Sequence, residues 1–287
     1  MPLIDRESRE AVRFLAKWFF LSIVGGVTGA ALVRFFMFLL FTVRGELSAT
    51  PLPPPVWAVV GALFTGGVIY RVSPASVGEG IPSYLNGMNH HRGVLGIRQT
   101  VFKYWAALVT LATFGSGGIV GPLGRVSAGV LSEFNRHLRR HLGAFTIQDT
   151  HTAAICGFAA TMGAITHAPI GSGIFAVEVI QRQQMRYHDL FPAIMAGSAA
   201  VYVSEAFGWS ALYDFSGVPV FNNYAIVWLI LLVALFNSFL GKGYNELYRL
   251  TASIFGRHQH RKLIGKVVIG MVLATTLGYA VNPGLLS

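Results

Sequence analysis

Charge is what this chain has least of. Only 12% of its 287 residues are Asp, Glu, Lys or Arg, against about 25% in a soluble domain. Acidic residues are the scarcer sign: 12 Asp and Glu stand against 22 Lys and Arg, for a net charge of +10. A single cysteine, Cys156, excludes an intrachain disulfide framework. It lies in an apolar run, where a thiol packs rather than reacts. The phosphate-cradling Gly-x-x-x-x-Gly-Lys pattern is missing. His90 and His91 adjoin in a polar loop with no Cys or acidic partner at metal spacing, so they read as solvated and no metal site is expected. Ser116, Ser127 and Ser172 have no nearby His and Asp to activate them. Neither an enzyme nor a bound cofactor is expected. The basic residues are spread over many loops and form no single face. That pattern fits the positive-inside bias of a membrane protein and not a nucleic-acid partner.

What the chain has is apolar length. Hydrophobic residues make up 53%, and the mean hydropathy is +0.56. Residues 14–41 carry only Lys17 and Arg34, and residues 56–70, 104–124, 152–177, 225–241 and 267–287 carry no charge. A helical span needs about 20 apolar residues, so an all-α, polytopic membrane protein is expected, with lipid as its surroundings. The polar residues 1–13 predict a short amphiphilic surface helix and no cleavable signal peptide. Basic loops suggest a cytoplasmic N-terminus. Spans are expected over 14–43, 56–70, 96–114, 190–207 and 267–280, with a long helix over 225–255. Asp149 is the expected N-cap of a helix running to Ile165. Basic or exposed loops are expected over 137–148, 213–223 (with Gly217 and Pro219) and 257–266, and Asn282-Pro283-Gly284 reads as a stop.

Three glycine-rich breaks interrupt these runs: Gly78-Glu79-Gly80-Ile81-Pro82, Gly118-Ile119-Val120-Gly121-Pro122, and His167-Ala168-Pro169 leading into Gly171-Ser172-Gly173. Proline is tolerated in the first turn of a helix, where its missing N–H would be unpaired anyway. Glycine before it lets the backbone bend and approach a ligand. Each break therefore predicts a helix start, with free N–H groups and a positive dipole end aimed forward. Broken helices whose N-termini converge inside a membrane make an anion site. Glycine also serves close helix packing, so one break alone says little; three at helix starts say more.

At these residues the chain resembles the CLC family of chloride channels and proton-coupled chloride transporters. The family's Gly-Ser-Gly-Ile-Pro is matched by Gly78-Glu79-Gly80-Ile81-Pro82, and its Gly-Lys/Arg-Glu-Gly-Pro by Gly118-Ile119-Val120-Gly121-Pro122. The stretch from Ala159-Ala160 through Ala168-Pro169-Ile170 to Phe175 and Glu178 resembles the family's Gly-Ala-Pro-Leu…Phe…Glu-Glu segment. The resemblance runs from Phe14 to Pro283. It implies tilted and re-entrant helices, a first inverted repeat over residues 14–223, the opening helices of a second over 224–287, and a homodimer. It also implies that chloride or a similar anion is bound by Gly78, Glu79, Gly80, Ile81 and Pro82 together with Gly118, Ile119, Val120, Gly121 and Pro122.

The departures carry as much information. The family's gating glutamate is matched by Val120, which cannot titrate. The second residue of the family's Glu-Glu pair, an internal proton acceptor in coupled members, is matched by Val179. Passive, channel-like anion permeation without proton coupling is the resulting expectation. The alternatives are a non-conducting membrane subunit or scaffold, and an inactive CLC-like fragment. Glu79 stands where the family has a serine donor. Three accounts of it are open: it faces the cytoplasmic vestibule, it is protonated by burial and donates, or it blocks anions. Arg125 is placed either to attract anions or to pair with Glu178 or Glu205, and Lys103 reads as a helix-end snorkeler. The family's third motif, Gly-x-Phe-x-Pro, and its late tyrosine have no match, which leads to the expectation of a truncated chain.

Overall fold

The computed structural model describes residues 2–142, 145–180, 187–212, 225–256 and 263–281. Every regular element in them is helical. Helix α1 (Pro2–Ser48) is followed by α2 (Pro54–Phe64), a π-helical turn (Thr65–Ile69), α3 (Tyr70–Val72) and a 3₁₀ turn (Pro74–Ser76). Then come α4 (Gly80–His90), α5 (Ile97–Ala112), α6 (Val120–Leu142), α7 (Ile147–Thr166), α8 (Pro169–Glu178), α9 (Tyr187–Ala206), α10 (Ala225–Gly256) and α11 (Leu263–Val281). Among the described residues, three stretches are long and apolar enough to cross a membrane: Phe14–Ser48, Ile226–Ile254 and Ile264–Val281.

Several expectations change in detail. Residues 1–13 do not form a separate surface helix; the described ones are the first turns of α1, because nothing between Arg9 and Phe20 breaks a helix. The expected helix over 56–70 lies within one continuous helical run, in which α2 passes through the π turn Thr65–Ile69 into α3. The expected basic loop over 137–148 is mostly helix. Arg139, Arg140 and His141 form the last turn of α6, where positive charge complements the helix dipole. Thr146, not Asp149, is the N-cap of α7. The Thr146 hydroxyl accepts from the Asp149 N–H, and the Asp149 carboxylate accepts from the Thr146 N–H, a reciprocal capping box. Lys17 of α1 then donates to Asp149 at 2.7 Å. The basic residues 182–186 and 257–262, the loop 213–223 and Asn282-Pro283-Gly284 lie outside the described residues.

The core is built on α7, which is buried along almost its whole length among α1, α6, α8 and α9. Its sequence is rich in Ala, Gly and Thr, and that is what allows the burial. Between helices in lipid the gain comes from close van der Waals packing rather than from expelling water. Gly29 of α1 lies against Ala160 so tightly that a Cβ there would sit 2.7 Å from the Ala160 Cβ, and at Gly26 it would sit 2.5 Å from Ala199 of α9. Larger residues would push these helices apart. Helix α11 packs on α2 through Met271 and Ala58 and Ala62. The apolar stretch of α10, by contrast, has no residue buried in the chain.

Candidate anion site between two helix N-termini

The first two breaks meet. Helix α4 starts at Gly80 and α6 at Val120, as Gly-x-Pro and Gly-Pro predict. A Cβ at Gly80 would lie 2.0 Å from the Gly121 carbonyl oxygen and 2.4 Å from the Pro122 nitrogen. Only glycine allows the two backbones to touch there. The first two N–H groups of each helix (Gly80 and Ile81, Val120 and Gly121) have no partner within their own helix, by helix geometry, and each helix brings a positive dipole end to the junction.

Each break is held open by a different device. At the first, Gly78 takes φ +82°, a conformation that disfavours residues with a Cβ. At the second, α5 ends in a left-handed residue, Phe114, with φ 62°. The turn is closed by the Gly115 N–H on the Thr110 carbonyl at 2.8 Å. The Thr275 hydroxyl of α11 donates to the Phe114 carbonyl at 3.1 Å, so α11 braces this break.

A cavity of about 710 Å³ opens at the junction, lined by Gly78, Glu79, Gly80, Ile81, Gly118, Gly121 and Pro122. Those are seven of the ten residues that the sequence singled out. Pro82 is exposed and is not part of the wall. Ile119 and Val120 pack on the apolar core instead. Val120, matched to the family's gating residue, is half-buried and is not among the residues lining this cavity.

The remaining lining comes from α5, with Lys103, Ala106, Ala107, Thr110 and Leu111, from Ser116 and Gly117, and from Tyr244 of α10. Lys103 does not snorkel. It is only 5% exposed, and its ammonium donates to the Ser76 carbonyl at 3.0 Å and to the Gly78 carbonyl. It thus ties the first break to α5 and places a fixed positive charge beside both helix starts. In the sequence it stands at the edge of the uncharged run 104–124, and an ionisable residue at membrane depth is a functional candidate by default. Tyr244 was not legible, because no local pattern brings α10 to a break some 160 residues earlier.

Glu79 is the N-cap of α4 but does not cap it with its side chain. It is exposed, and it is close enough to Lys103 and to the Tyr248 hydroxyl for electrostatic interaction. Protonation by burial thus loses its premise. Arg125 is 2% exposed and pairs with neither Glu178 nor Glu205. Its guanidinium donates to Ser83 Oγ at 3.3 Å, Thr100 Oγ1 at 3.0 Å and Gln99 Oε1 at 3.5 Å.

The third break does not join the other two. His167 is left-handed (φ 51°) and Pro169 opens α8, as expected, but its residues do not line this cavity. They pack on α9: a Cβ at Gly173 would meet Ile194 at 2.6 Å, and Ser172 lies against Gly197.

The site's sign follows from its charges. Lys103 and Glu79 carry opposite unit charges, and each helix N-terminus adds about half a positive charge. The balance is about one positive charge, facing a cavity with Glu79 as the one acidic side chain in its wall. Such a place attracts an anion.

Comparison with known proteins agrees. A family model described as "Voltage gated chloride channel" matches residues 61–286. A chloride/fluoride channel protein of Pseudomonas syringae is 23% identical over 70% of this chain and 43% of its own length. An uncharacterized protein of Methanocaldococcus jannaschii is 26% identical over 78% of this chain and 53% of its own length. The chain thus spans about half the length of the curated relatives it matches. A crystal structure of a CLC-type fluoride/proton antiporter superposes with a TM-score of 0.71 at 21% identity, covering 92% of this chain and 66% of that one. The fold is therefore CLC-like. With its family model matching most of its length, the chain belongs to the voltage gated chloride channel family and is an integral, multi-pass membrane protein.

Proposed function

We propose that this chain carries chloride or a similar small anion across the membrane, passively, with the anion held where the N-termini of α4 and α6 meet. The observation that supports this most is the backbone contact of Gly80 on Gly121 beside the buried Lys103 ammonium. Two half-charges from the helix ends and one lysine charge converge there, and preorganised N–H dipoles replace the ion's hydration without reorganising. The uncoupled reading draws on side chains. The second break has no carboxylate, Val120 faces the core, and Val179 occupies the place of the family's internal proton acceptor. Glu79 is then the control point, because its carboxylate opposes an anion. Assembly as a homodimer is part of the proposal.

Proteoliposomes test it. With the chain reconstituted at a defined chloride gradient, we expect chloride efflux whose reversal potential follows chloride and ignores an imposed pH gradient. Stoichiometric proton movement would turn the reading into an exchanger. Efflux no faster than from empty liposomes would favour the alternative of a non-conducting membrane subunit, for which the unburied apolar stretch of α10 would be the interface.

A further inference from the structure

A second cavity lies on the other side of α4. It holds about 430 Å³ and shares no lining residue with the first. Arg125 contributes its guanidinium, and Ser83, Asn86, His91, Gly96 and Gln99 contribute to the wall. No Asp or Glu is among its lining residues.

The guanidinium is in an unfavourable place. It is 2% exposed, it sits in the second turn of α6, near that helix's positive end, and it is close enough to Lys103 for mutual repulsion. A buried charge is tolerated when it is paired. Here all three acceptors are neutral, and two of the bonds, at 3.3 and 3.5 Å, are longer than the roughly 2.7–2.9 Å of a charge-assisted bond. Five N–H groups are available on a guanidinium. Three reach Ser83, Thr100 and Gln99, which leaves one on each terminal nitrogen. Gly96, the N-cap of α5, adds a second helix N-terminus to the same wall.

From this we infer that the Arg125 cavity is a separate binding site for a small oxyanion, a phosphate-type group presenting two oxygens to the guanidinium. The contrast with the first cavity decides the class. An ammonium acts as a point charge and suits a monatomic ion, whereas a planar guanidinium fork matches two oxygens at once. The cavity is also far larger than a halide needs. Bound there, the oxyanion supplies a counter-charge that no described residue gives Arg125.

Calorimetric titration of the purified chain with inorganic phosphate, at fixed chloride and ionic strength, is the test. Wild type should bind saturably. Arg125→Lys keeps the charge but loses the fork, and should need about tenfold or more phosphate for half-saturation, the loss of one charge-assisted bond. Should Arg125 variants fail to fold, Gln99→Glu keeps Arg125 and brings a carboxylate to where the Gln99 oxygen already lies. It should raise Tm and abolish phosphate binding. No saturable binding to wild type, or equal binding to Gln99→Glu, overturns the site. Repeating the titration in nanodiscs separates the sources: weaker apparent phosphate binding in discs with phosphatidic acid than in phosphatidylcholine discs marks a lipid headgroup as occupant. Equal binding in both marks a free anion. Chloride flux is read apart from this, so either proposal can fail alone.

Discussion

The junction of the first two breaks and the third break look alike as sequence and differ as structure. All three put glycine and proline at the start of a helix. At the junction the glycine brings two helix starts together around a cavity with a buried cation. At His167-Ala168-Pro169 the same chemistry makes a packing joint: α8 folds back so that Gly173 and Ser172 can lie against α9. The difference lies in what faces the helix start. An open space with a fixed charge makes a ligand site, and a neighbouring helix makes an interface. Substitutions at matched positions sharpen or break this comparison.

Removing the charge should have the largest effect. At 4–8 Å and an effective dielectric of 20, a unit charge contributes roughly 2–4 kcal/mol to an anion's binding. Lys103→Met also leaves the Ser76 and Gly78 carbonyls without their donor, at about 1–3 kcal/mol for each that stays dry. Chloride efflux should fall at least about tenfold, and Tm should drop. Ser172→Ala at the third break removes a hydroxyl that donates to the Pro169 carbonyl at 2.8 Å, and should leave efflux unchanged. Loss of efflux in both variants, or in neither, would erase the distinction.

Next comes the contact itself. Gly80→Ala would place a Cβ 2.0 Å from the Gly121 oxygen. The obstacle is backbone, which cannot rotate away, so the upper part of the 1–3 kcal/mol range for overpacking applies. Efflux should be lost while the core around α7 persists as helical circular dichroism. Gly171→Ala is the control: its Cβ would have the Ala168 Cβ at 3.7 Å as its nearest neighbour, an ordinary contact, and alanine favours a helix by up to about 1 kcal/mol. Equal damage from both would mean that the junction is no tighter than any other helix joint.

A smaller effect belongs to Glu79. Its charge opposes the anion, but it is exposed and offset by Lys103. Glu79→Ser should raise efflux a few-fold at neutral pH. Identical efflux in wild type and variant at every pH would take Glu79 out of the control of the pathway.

The helix starts were legible because their causes are local. Pro82 and Pro122 fit the first turn of a helix, Gly80 and Gly121 tolerate close approach, and the structure begins α4 and α6 there. Which starts would meet was not legible, since convergence is set by how α4, α5 and α6 pack, and the third break carries the same local signal. Lys103 was misplaced as a helix-end snorkeler, because its acceptors are carbonyls in a turn 25 residues away. Arg125 had oppositely charged candidates in Glu178 and Glu205, and the fold places both of them elsewhere. Thr146 was passed over as a cap in favour of Asp149, since either residue satisfies the pattern until the capping box assigns one role to each.

The smallest expected effect tests whether α10 belongs to the junction at all. No residue of its apolar stretch is buried, yet Tyr244 lines the first cavity and the Tyr248 hydroxyl lies close enough to Glu79 to interact with it. Tyr248→Phe removes one hydroxyl and keeps the ring. A hydrogen bond to a charged group contributes at most about 1.5–3 kcal/mol, and less where water competes. Tyr248 is 47% exposed, so stability should hardly change. Efflux should therefore change by less than about twofold in Tyr248→Phe. In the Glu79→Ser background the same substitution should do nothing, because the group that it acts through is gone. If Tyr248→Phe shifts efflux equally in both backgrounds, α10 reaches the pathway by another route, and the junction would be built from α4, α5 and α6 alone.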